Sequence, residues 1–292
     1  MKPQTPILRP VSALGTVLVF DLEPGVDPKS GLTALRSEAA SSDIVVGIGE
    51  PLARALAASV PGLRGFPAVS GVGVTFPSTQ GALWISIDGD ERGAVLDRAM
   101  TIRRKLGPGF RLSETTDTFR YRGGRDLTGY EDGTENPRDD AAVSAAIVSS
   151  SEPGMGGASF VAVQRYVHDL ARFNAHDTAG RDAIIGRRIE TNEEIPDAPE
   201  TAHVKRSAQE SFEPAAFMLR RSMPWGSIDE HGLYFVSYVK ELDRFERVLN
   251  RMAGLEDGVV DALMRFTRAV SGGYYFCPPL TSDGLDLRAL KL

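Results

Sequence analysis

The order of strand-like and helix-like segments occurs twice along the chain, and this repeat limits the possible folds most. In the first half the spacing predicts strands near Gly15–Glu23, Asp43–Gly49, Leu83–Asp88 and Leu112–Tyr121. A helix is predicted over Leu32–Ala40, and a second helix carries Val95, Ala99, Ile102 and Leu106 on one face before Gly107 ends it. Strand, helix, strand, strand, helix, strand is the order of a split βαβ, ferredoxin-like unit.

The second half follows the same order with little identity of residues. Its predicted elements are strands at Ser159–Val167, Ala216–Arg220, Gly232–Val239 and Gly273–Cys277, a helix around Arg181–Arg187, and a helix presenting Leu242, Phe245, Leu249 and Met252. We therefore predict an α+β fold of two ferredoxin-like units, residues 1–125 and 126–292. Two antiparallel sheets with helices on one face can bury their remaining faces against each other, with a pocket between sheet and helices in the second half.

Charge and cysteine content exclude several classes of function. The formal net charge of -6 gives no general attraction to nucleic acid or to an anionic membrane. One cysteine, Cys277, cannot form an internal disulfide, which fits a reducing compartment. The first residues, MKPQTPILRP, contain neither a long apolar run nor a twin-arginine pattern, and no later segment has the roughly 18 apolar residues of a membrane span. We expect a cytoplasmic protein.

Two polar segments, 126–137 and 190–209, interrupt the repeated pattern. The second contains His203, which lies in irregular sequence just before an apolar strand, whereas His168, His176 and His231 lie at strand ends or turns where structural roles are expected. No second His or Cys lies near His203 at zinc-ligand spacing. A haem iron needs only one axial His from the protein, so haem binding is one possibility for this residue.

The first segment surrounds Asp132 with turn-forming and polar residues. An Asp-Gly step is typical of a simple turn, but the density of Gly129, Gly133, Thr134 and Asn136 could also bring backbone close to a ligand. Arg220 and Arg221 end an apolar strand, and strand alternation sends one to each face. A buried guanidinium requires an anionic partner or ligand.

Together these segments resemble the dye-decolourising peroxidase family, and within it the compact bacterial group, from about Thr16 to the C-terminus. The most specific element is the Gly-x-x-Asp-Gly signature, present as residues 129–133. Further matches are Val163–Asp169, Ile185–Arg187, His203-Val204, Leu219–Ser222, His231–Phe235, Arg265–Thr267 and Gly272–Phe276. The resemblance implies a pair of ferredoxin-like units, in agreement with the repeat.

The resemblance also implies haem b as cofactor, and hydrogen peroxide and small organic electron donors as substrates. Carried over by position, His203 is the iron ligand, Asp132 the acid that moves a proton on peroxide and Arg220 the arginine beside it. Gly133, Thr134 and Glu135 are expected against the haem, Asp261 at the His203 imidazole, and Arg187 and His168 near the propionates. Ser222 stands where several relatives have Asn, so its effect is open. A homo-oligomer, dimer to hexamer, is expected.

Two other functions fit the same residues. A non-enzymatic haem-binding or haem-delivery protein would need the same pocket without turnover, and a ferredoxin-like barrel without haem would bind another small molecule or a partner. For a peroxidase acting on bulky dyes, Trp225, Tyr234 and Tyr238 are hypothetical surface relays for electrons, although ordinary packing roles are more common for such aromatics.

Overall fold

The computed structural model describes residues 1–292, which form fourteen strands and nine α-helices. The strands are β1 (Leu14–Leu22), β2 (Ile44–Gly49), β3 (Val69–Gly71), β4 (Val74–Phe76), β5 (Leu83–Gly89), β6 (Phe110–Phe119), β7 (Ser159–His168), β8 (Leu219–Arg220), β9 (Met223–Gly226), β10 (His231–Val239), β11 (Thr267–Ala269), β12 (Gly273–Cys277), β13 (Leu280–Thr281) and β14 (Gly284–Leu285). The helices are α1 (Thr5–Leu8), α2 (Lys29–Leu35), α3 (Glu50–Ala55), α4 (Arg92–Leu106), α5 (Asp139–Ala146), α6 (Leu170–Asn174), α7 (Thr178–Ile185), α8 (His203–Arg206) and α9 (Asp243–Met252).

Each half has the strand order of a ferredoxin-like unit. In the first half the antiparallel order is β6-β1-β5-β2, and in the second it is β12-β7-β10-β9, so in both the fourth strand lies beside the first and the second lies at the edge. The predicted α+β class is thereby confirmed. The boundary between residues 125 and 126 falls in the connection from β6 to β7 and stays a prediction.

The two units join edge to edge. Strand β2 pairs with β12, where Gly49 faces Tyr275, and β6 meets β9 at Thr118 and Trp225. Since β7 also pairs with β10, these eight strands close into a barrel. Two short strands add to it, because β11 pairs with β7 and β8 pairs with β10. The separate sheets expected from the sequence are thus one closed sheet, and its inner faces meet as a packed interior.

Side-chain alternation divides the core into an interior and an outer layer. Along β1, Val17 and Val19 pack inside the barrel, whereas Leu18 and Phe20 pack in the layer under the helices. Helix α4 contributes Val95, Ala99, Ile102 and Leu106 to that layer, as the periodicity predicts. Its first turn is capped by the Glu91 carboxylate, which accepts the Gly93 and Ala94 amide protons.

One predicted strand is much shorter than expected. Of Ala216–Arg220 only Leu219–Arg220 pairs as a strand, and β9 supplies the rest of the edge of the second unit. Upstream the Gln209 side chain takes the place of a neighbouring strand, because its Oε1 accepts the Met218 amide proton at 2.7 Å. None of the nine helices combines the length and apolar character that crossing a bilayer requires.

Candidate active site

An apolar cavity of about 690 Å³ lies between the outer face of β7 and β10 and helix α9. Its apolar walls include Leu233, Phe235, Phe245, Val248, Leu249, Met252 and Leu263. A mostly apolar wall with a few polar side chains is typical of sites that bind a cofactor or small ligand. We call it the apolar cavity.

His203 is the first residue of α8 and lines this cavity. Its Nδ1 lies 2.7 Å from Oδ2 of Asp261, and the other oxygen of that carboxylate accepts the Leu263 amide proton at 2.8 Å. Because Asp261 is 1% exposed and fixed by the turn before residues 262–265, it holds the imidazole in one orientation with the proton on Nδ1. Nε2 makes no hydrogen bond within the protein, so its lone pair is free for a ligand in the cavity.

A second cavity of about 880 Å³ adjoins the first and is polar. The two share Asp132, His203, Ser207, Gln209 and Arg220, so they form one continuous space around these side chains. We call the second the acidic cavity, because four glutamates line it, namely Glu131, Glu135, Glu194 and Glu210. Gly133, Thr134 and Glu135 lie here, and the sequence-predicted residues Asp132, His203 and Arg220 come together where the two cavities meet.

Asp132 is held at this junction by the backbone of its own loop. Its amide donates to the Gly124 carbonyl at 3.2 Å, and Gly129 and Gly133 on either side have φ of 89° and 77°. Burial raises the pKa of the Asp132 carboxyl, while the positive charge of Arg220 opposes this effect. The Asp132 carboxyl therefore holds a proton up to a higher pH than an ordinary aspartate does.

Arg220 is positioned by Asn136, a residue for which the sequence predicts no role at the site. The Arg220 amide donates to Oδ1 of Asn136 at 2.8 Å, and Nδ2 of Asn136 donates to the Arg220 carbonyl at 3.0 Å. The side chain thus imitates a neighbouring strand at the end of β8. A Cβ on Gly133 would lie 2.7 Å from that same Nδ2, so the signature glycine leaves room for the Asn136 contact. Nε of Arg220 is buried and has no partner in the protein.

Residues 187–194 form hydrogen bonds with the signature loop, residues 129–137, beside the acidic cavity. Arg187 donates to Glu135 at 2.6 Å and lies 3.3 Å from Glu194, and Nδ2 of Asn192 donates to the Thr134 hydroxyl at 3.0 Å. Arg187 therefore already has carboxylate partners. The loop bearing Asp132 is fixed from outside as well as by its own turns.

Ser222 and His168 are less available than the sequence suggests. Ser222 lies outside the two shared cavities, and its hydroxyl accepts the Val236 amide proton at 3.3 Å. His168 does line the apolar cavity, but its Nδ1 lies 2.7 Å from the Thr267 hydroxyl and its Nε2 lies 3.1 Å from Asp126. Both ring nitrogens thus have protein partners.

The hypothetical surface relays are all buried. Trp225, Tyr234 and Tyr238 are 8%, 2% and 3% exposed and pack inside the barrel, where the Trp225 indole donates to the Tyr166 carbonyl at 2.9 Å. Their burial agrees with the packing role and not with a surface relay. Tyr234 and Tyr238 point into the barrel because they alternate along β10 with residues that line the apolar cavity.

Gln164 is a site residue that the sequence reasoning missed. It is 1% exposed, its Oε1 accepts the Tyr166 hydroxyl proton at 2.9 Å, and its Nε2 has no partner in the protein while the side chain lines the apolar cavity. Gln164, Tyr166 and His168 occupy alternate positions of β7. Three polar side chains at alternate positions, which place them on one face of β7, were the available signal.

Comparisons with known proteins give a consistent result. The family model for the C-terminal part of Dyp-type peroxidases matches residues 123–282. The dye-decolorizing peroxidase of Mycolicibacterium paratuberculosis is 30% identical over 230 residues, which are 77% of this chain and 64% of that protein, so the match spans less than two thirds of that relative. The Rhodococcus erythropolis dye-decolorizing peroxidase is 30% identical over 301 residues, covering 96% of this chain and 87% of that one.

Solved structures resemble the whole chain. A dye-decolorizing protein from V. cholerae superposes with a TM-score of 0.87 at 27% identity over 99% of both chains. An arginine-to-leucine variant of Rhodococcus jostii RHA1 DypB, in complex with heme, superposes with a TM-score of 0.87 at 29% identity over 95% of this chain and 96% of that one.

Proposed function

This chain belongs to the dye-decolorizing peroxidase family, and from that premise we propose that it is a haem peroxidase that uses hydrogen peroxide to oxidise small organic donors such as dyes and phenols. The observation that carries the proposal is the free Nε2 of His203, backed by the buried Asp261 carboxylate, in the same space as Asp132 and Arg220. The cofactor is haem, and haem b is the form we propose.

The residues present fit a haem. A largely apolar cavity offers a surface for a porphyrin, and it adjoins the acidic cavity at Asp132, His203 and Arg220. Nε2 of His203 would supply the one nitrogen that a haem iron needs from the protein. The unpartnered buried donors, Nε of Arg220 and Nε2 of Gln164, belong to side chains that line this space, so a ligand there would compensate their burial.

When bound, the haem supplies an iron that accepts peroxide and takes up its two oxidising equivalents. The Asp132 carboxylate is proposed to remove the proton from one peroxide oxygen and deliver it to the other, so that the second oxygen leaves as water. Arg220 stabilises the negative charge that develops on the departing oxygen, since its backbone is fixed in advance by Asn136.

The Asp261 carboxylate accepts a hydrogen bond from Nδ1 of His203, which would make Nε2 a stronger electron donor to a bound iron. Gly133, Thr134 and Glu135 are proposed to border the haem at the acidic cavity. Ser222 has no assigned contact with the ring, because its hydroxyl is engaged with the backbone of β10.

The first experiment tests the axial ligand. We expect His203→Ala to lose the Soret and charge-transfer bands of a five-coordinate ferric haem, whereas His176→Ala, which changes an exposed histidine outside the cavities, keeps them. Full retention of that spectrum in His203→Ala would refute the ligand assignment.

The second experiment separates an enzyme from a haem carrier. A peroxidase oxidises a simple phenol only when peroxide is added, and Asp132→Asn lowers this rate while the haem content stays the same. Haem binding without peroxide-dependent oxidation by the unmodified protein would favour haem storage or delivery instead.

We further propose that the enzyme acts in the cytoplasm as a homo-oligomer. The single cysteine, Cys277, is buried and unpaired, as suits a reducing compartment. Leu96 and Met100 lie one turn apart on α4 and are 47% and 50% exposed, which provides an apolar strip for contact between copies. Light scattering after size-exclusion chromatography measures the number of subunits.

A further inference from the structure

A third cavity of about 610 Å³ borders the active site at Asp132 and Arg220, and the proposed reaction assigns no ligand to its remaining walls. It meets the other two cavities at Asp132 and Arg220, and its remaining walls come from the N-terminal segment, the turn after β6 and the start of β9. We call it the arginine-lined cavity.

Positive charge is concentrated around this cavity. Arg120, Arg125, Arg220 and Arg221 line it, and Asp132 is the one carboxylate among its lining residues. Of the four, Arg125 pairs with Glu131 at 3.0 Å. The other three make no ion pair, although the chain as a whole carries a net charge of -6.

Two of these guanidinium groups have unused donors. Nε of Arg220 and Nε of Arg221 are buried and have no hydrogen-bond partner in the protein. Arg221 donates only to main-chain carbonyls, those of Arg220 and Leu8, each at 3.1 Å. Electrostatic attraction acts between Arg220 and Asp132 and between Arg221 and Asp88, but neither carboxylate accepts a hydrogen bond from these guanidinium groups. A ligand anion that accepts the free Nε protons would therefore compensate their burial further.

The rest of the wall is mixed, because Asn136 and Ser222 add polar groups to an otherwise apolar surface. Pro10, Val11, Tyr121, Met223 and Pro224 line the cavity between the arginines. Such a wall suits the hydrocarbon body of a ligand whose charged group reaches the guanidinium groups. An inorganic ion would leave most of this surface without contact.

From this arrangement we propose that the arginine-lined cavity binds an organic monocarboxylate with an aromatic or short aliphatic body. The neighbouring acidic cavity, lined by Glu131, Glu135, Glu194 and Glu210, repels the same anion, so the two openings beside Asp132 select opposite charges. Because the bound carboxylate uses Arg220, it excludes a second anion, or the developing charge of peroxide, from that guanidinium. The competition with peroxide rests on the proposed function, whereas the binding itself does not.

Benzoate is the probe, and its neutral analogue benzamide is the matched ligand. Titration calorimetry of the purified protein, with its cofactor and without peroxide, is expected to give a dissociation constant for benzoate about tenfold or more below that for benzamide. Added sodium chloride should lower the affinity for benzoate and leave the affinity for benzamide unchanged, as expected for a contact between charges.

The variant Arg120→Gln locates the site. Its guanidinium is exposed and makes no side-chain hydrogen bond, so the exchange leaves the fold intact. We expect benzoate to bind about fivefold or more weakly, Arg120→Lys to recover most of the affinity, and the control Arg103→Gln on the exposed face of α4 to bind as the unmodified protein does. Equal affinity for benzoate and benzamide, no measurable benzoate binding, or equal effects of Arg120→Gln and Arg103→Gln would overturn the proposal.

Steady-state kinetics then test the link to the reaction. Benzoate is expected to raise the KM for peroxide without changing kcat, and to do so less in Arg120→Gln. Benzoate binding that depends on Arg120 in a protein without peroxidase activity would uphold the cavity and refute the proposed function. Peroxidase activity without such binding would do the reverse.

Discussion

Replacing Gly133 by alanine tests how the signature loop sets the position of Arg220. Gly133 has a φ of 77°, where an L-residue is strained, and a Cβ there would lie 2.7 Å from Nδ2 of Asn136. The Asn136 side chain must then move. It would give up the hydrogen bonds of 2.8 and 3.0 Å that fix the backbone of Arg220.

The expected cost has two parts. Positive φ in an L-residue costs roughly 1–2 kcal/mol. Loss of two partly buried hydrogen bonds adds about 0.5–1.5 kcal/mol each, so that Gly133→Ala should destabilise the protein by roughly 2–5 kcal/mol.

Gly25→Ala is the matched control. Gly25 also has a φ of 77°, but no atom lies within 4 Å of the place that a Cβ would take, so alanine there adds the backbone strain alone. The difference between the two variants therefore isolates the Asn136 contact, at about 1–3 kcal/mol. In an Asn136→Ala background that difference should disappear, because no amide is left to displace.

Urea unfolding followed by tryptophan fluorescence measures the free energy of unfolding of each variant in both backgrounds, and stopped-flow mixing with peroxide measures the effect on the reaction. Gly133→Ala should react more slowly than Gly25→Ala, since Arg220 is no longer fixed. Equal destabilisation by the two alanines, within about 0.5 kcal/mol, together with equal peroxide rates, would refute the role given to Asn136.

Three further predictions concern carboxylates. Burial raises the pKa of Asp88 to about 6, so the folded state binds that proton more tightly than the unfolded state and loses stability as pH rises from about 4 to 6. In urea unfolding, Asp88→Asn should have the same free energy of unfolding as the unmodified protein near pH 4. Above pH 7 its free energy of unfolding should be higher by at most about 3 kcal/mol. Burial also raises the pKa of Asp132, so kcat/KM for peroxide should fall on the acid side at a pH above that of an ordinary carboxyl, and Asp132→Asn should lose roughly 10²- to 10⁴-fold. An acid limb at the pH of an ordinary carboxyl, or one that Asp132→Asn leaves in place, would count against this base. Asp261→Asn keeps an acceptor for His203 but removes the charge, so spectroelectrochemistry should find a higher iron reduction potential, and an unchanged potential would contradict the role of Asp261.

The fold was predictable because its signal is periodic. The strand Gly273–Cys277 has the predicted bounds, and α4 buries the four residues that its spacing selects. Barrel closure was not predictable, because it depends on short edge pairings such as the one between Thr118 and Trp225. Nothing in local periodicity distinguishes two facing sheets from one closed sheet.

The site was predictable only in part, for a related physical reason. A sequence shows which side chains can carry charge, and so it pointed to Asp132, His203 and Arg220, which the structure brings to one junction. It does not show which side-chain amide will make the backbone hydrogen bonds that a neighbouring strand would otherwise make. Asn136 does so because β8 ends after two residues and leaves the Arg220 backbone without a neighbouring chain on that side.

The two arginines that follow each other at 220 and 221 show how one strand serves two sites. Alternation places Arg220 at the junction of the apolar and acidic cavities and turns Arg221 away from both, towards the arginine-lined cavity and the end of the barrel. Arg221 nevertheless donates to the Arg220 carbonyl, the same oxygen that Asn136 holds. A ligand that draws on Arg221 therefore acts on the backbone of Arg220, so occupation of the arginine-lined cavity should change the peroxide rate even where it leaves the haem spectrum unchanged.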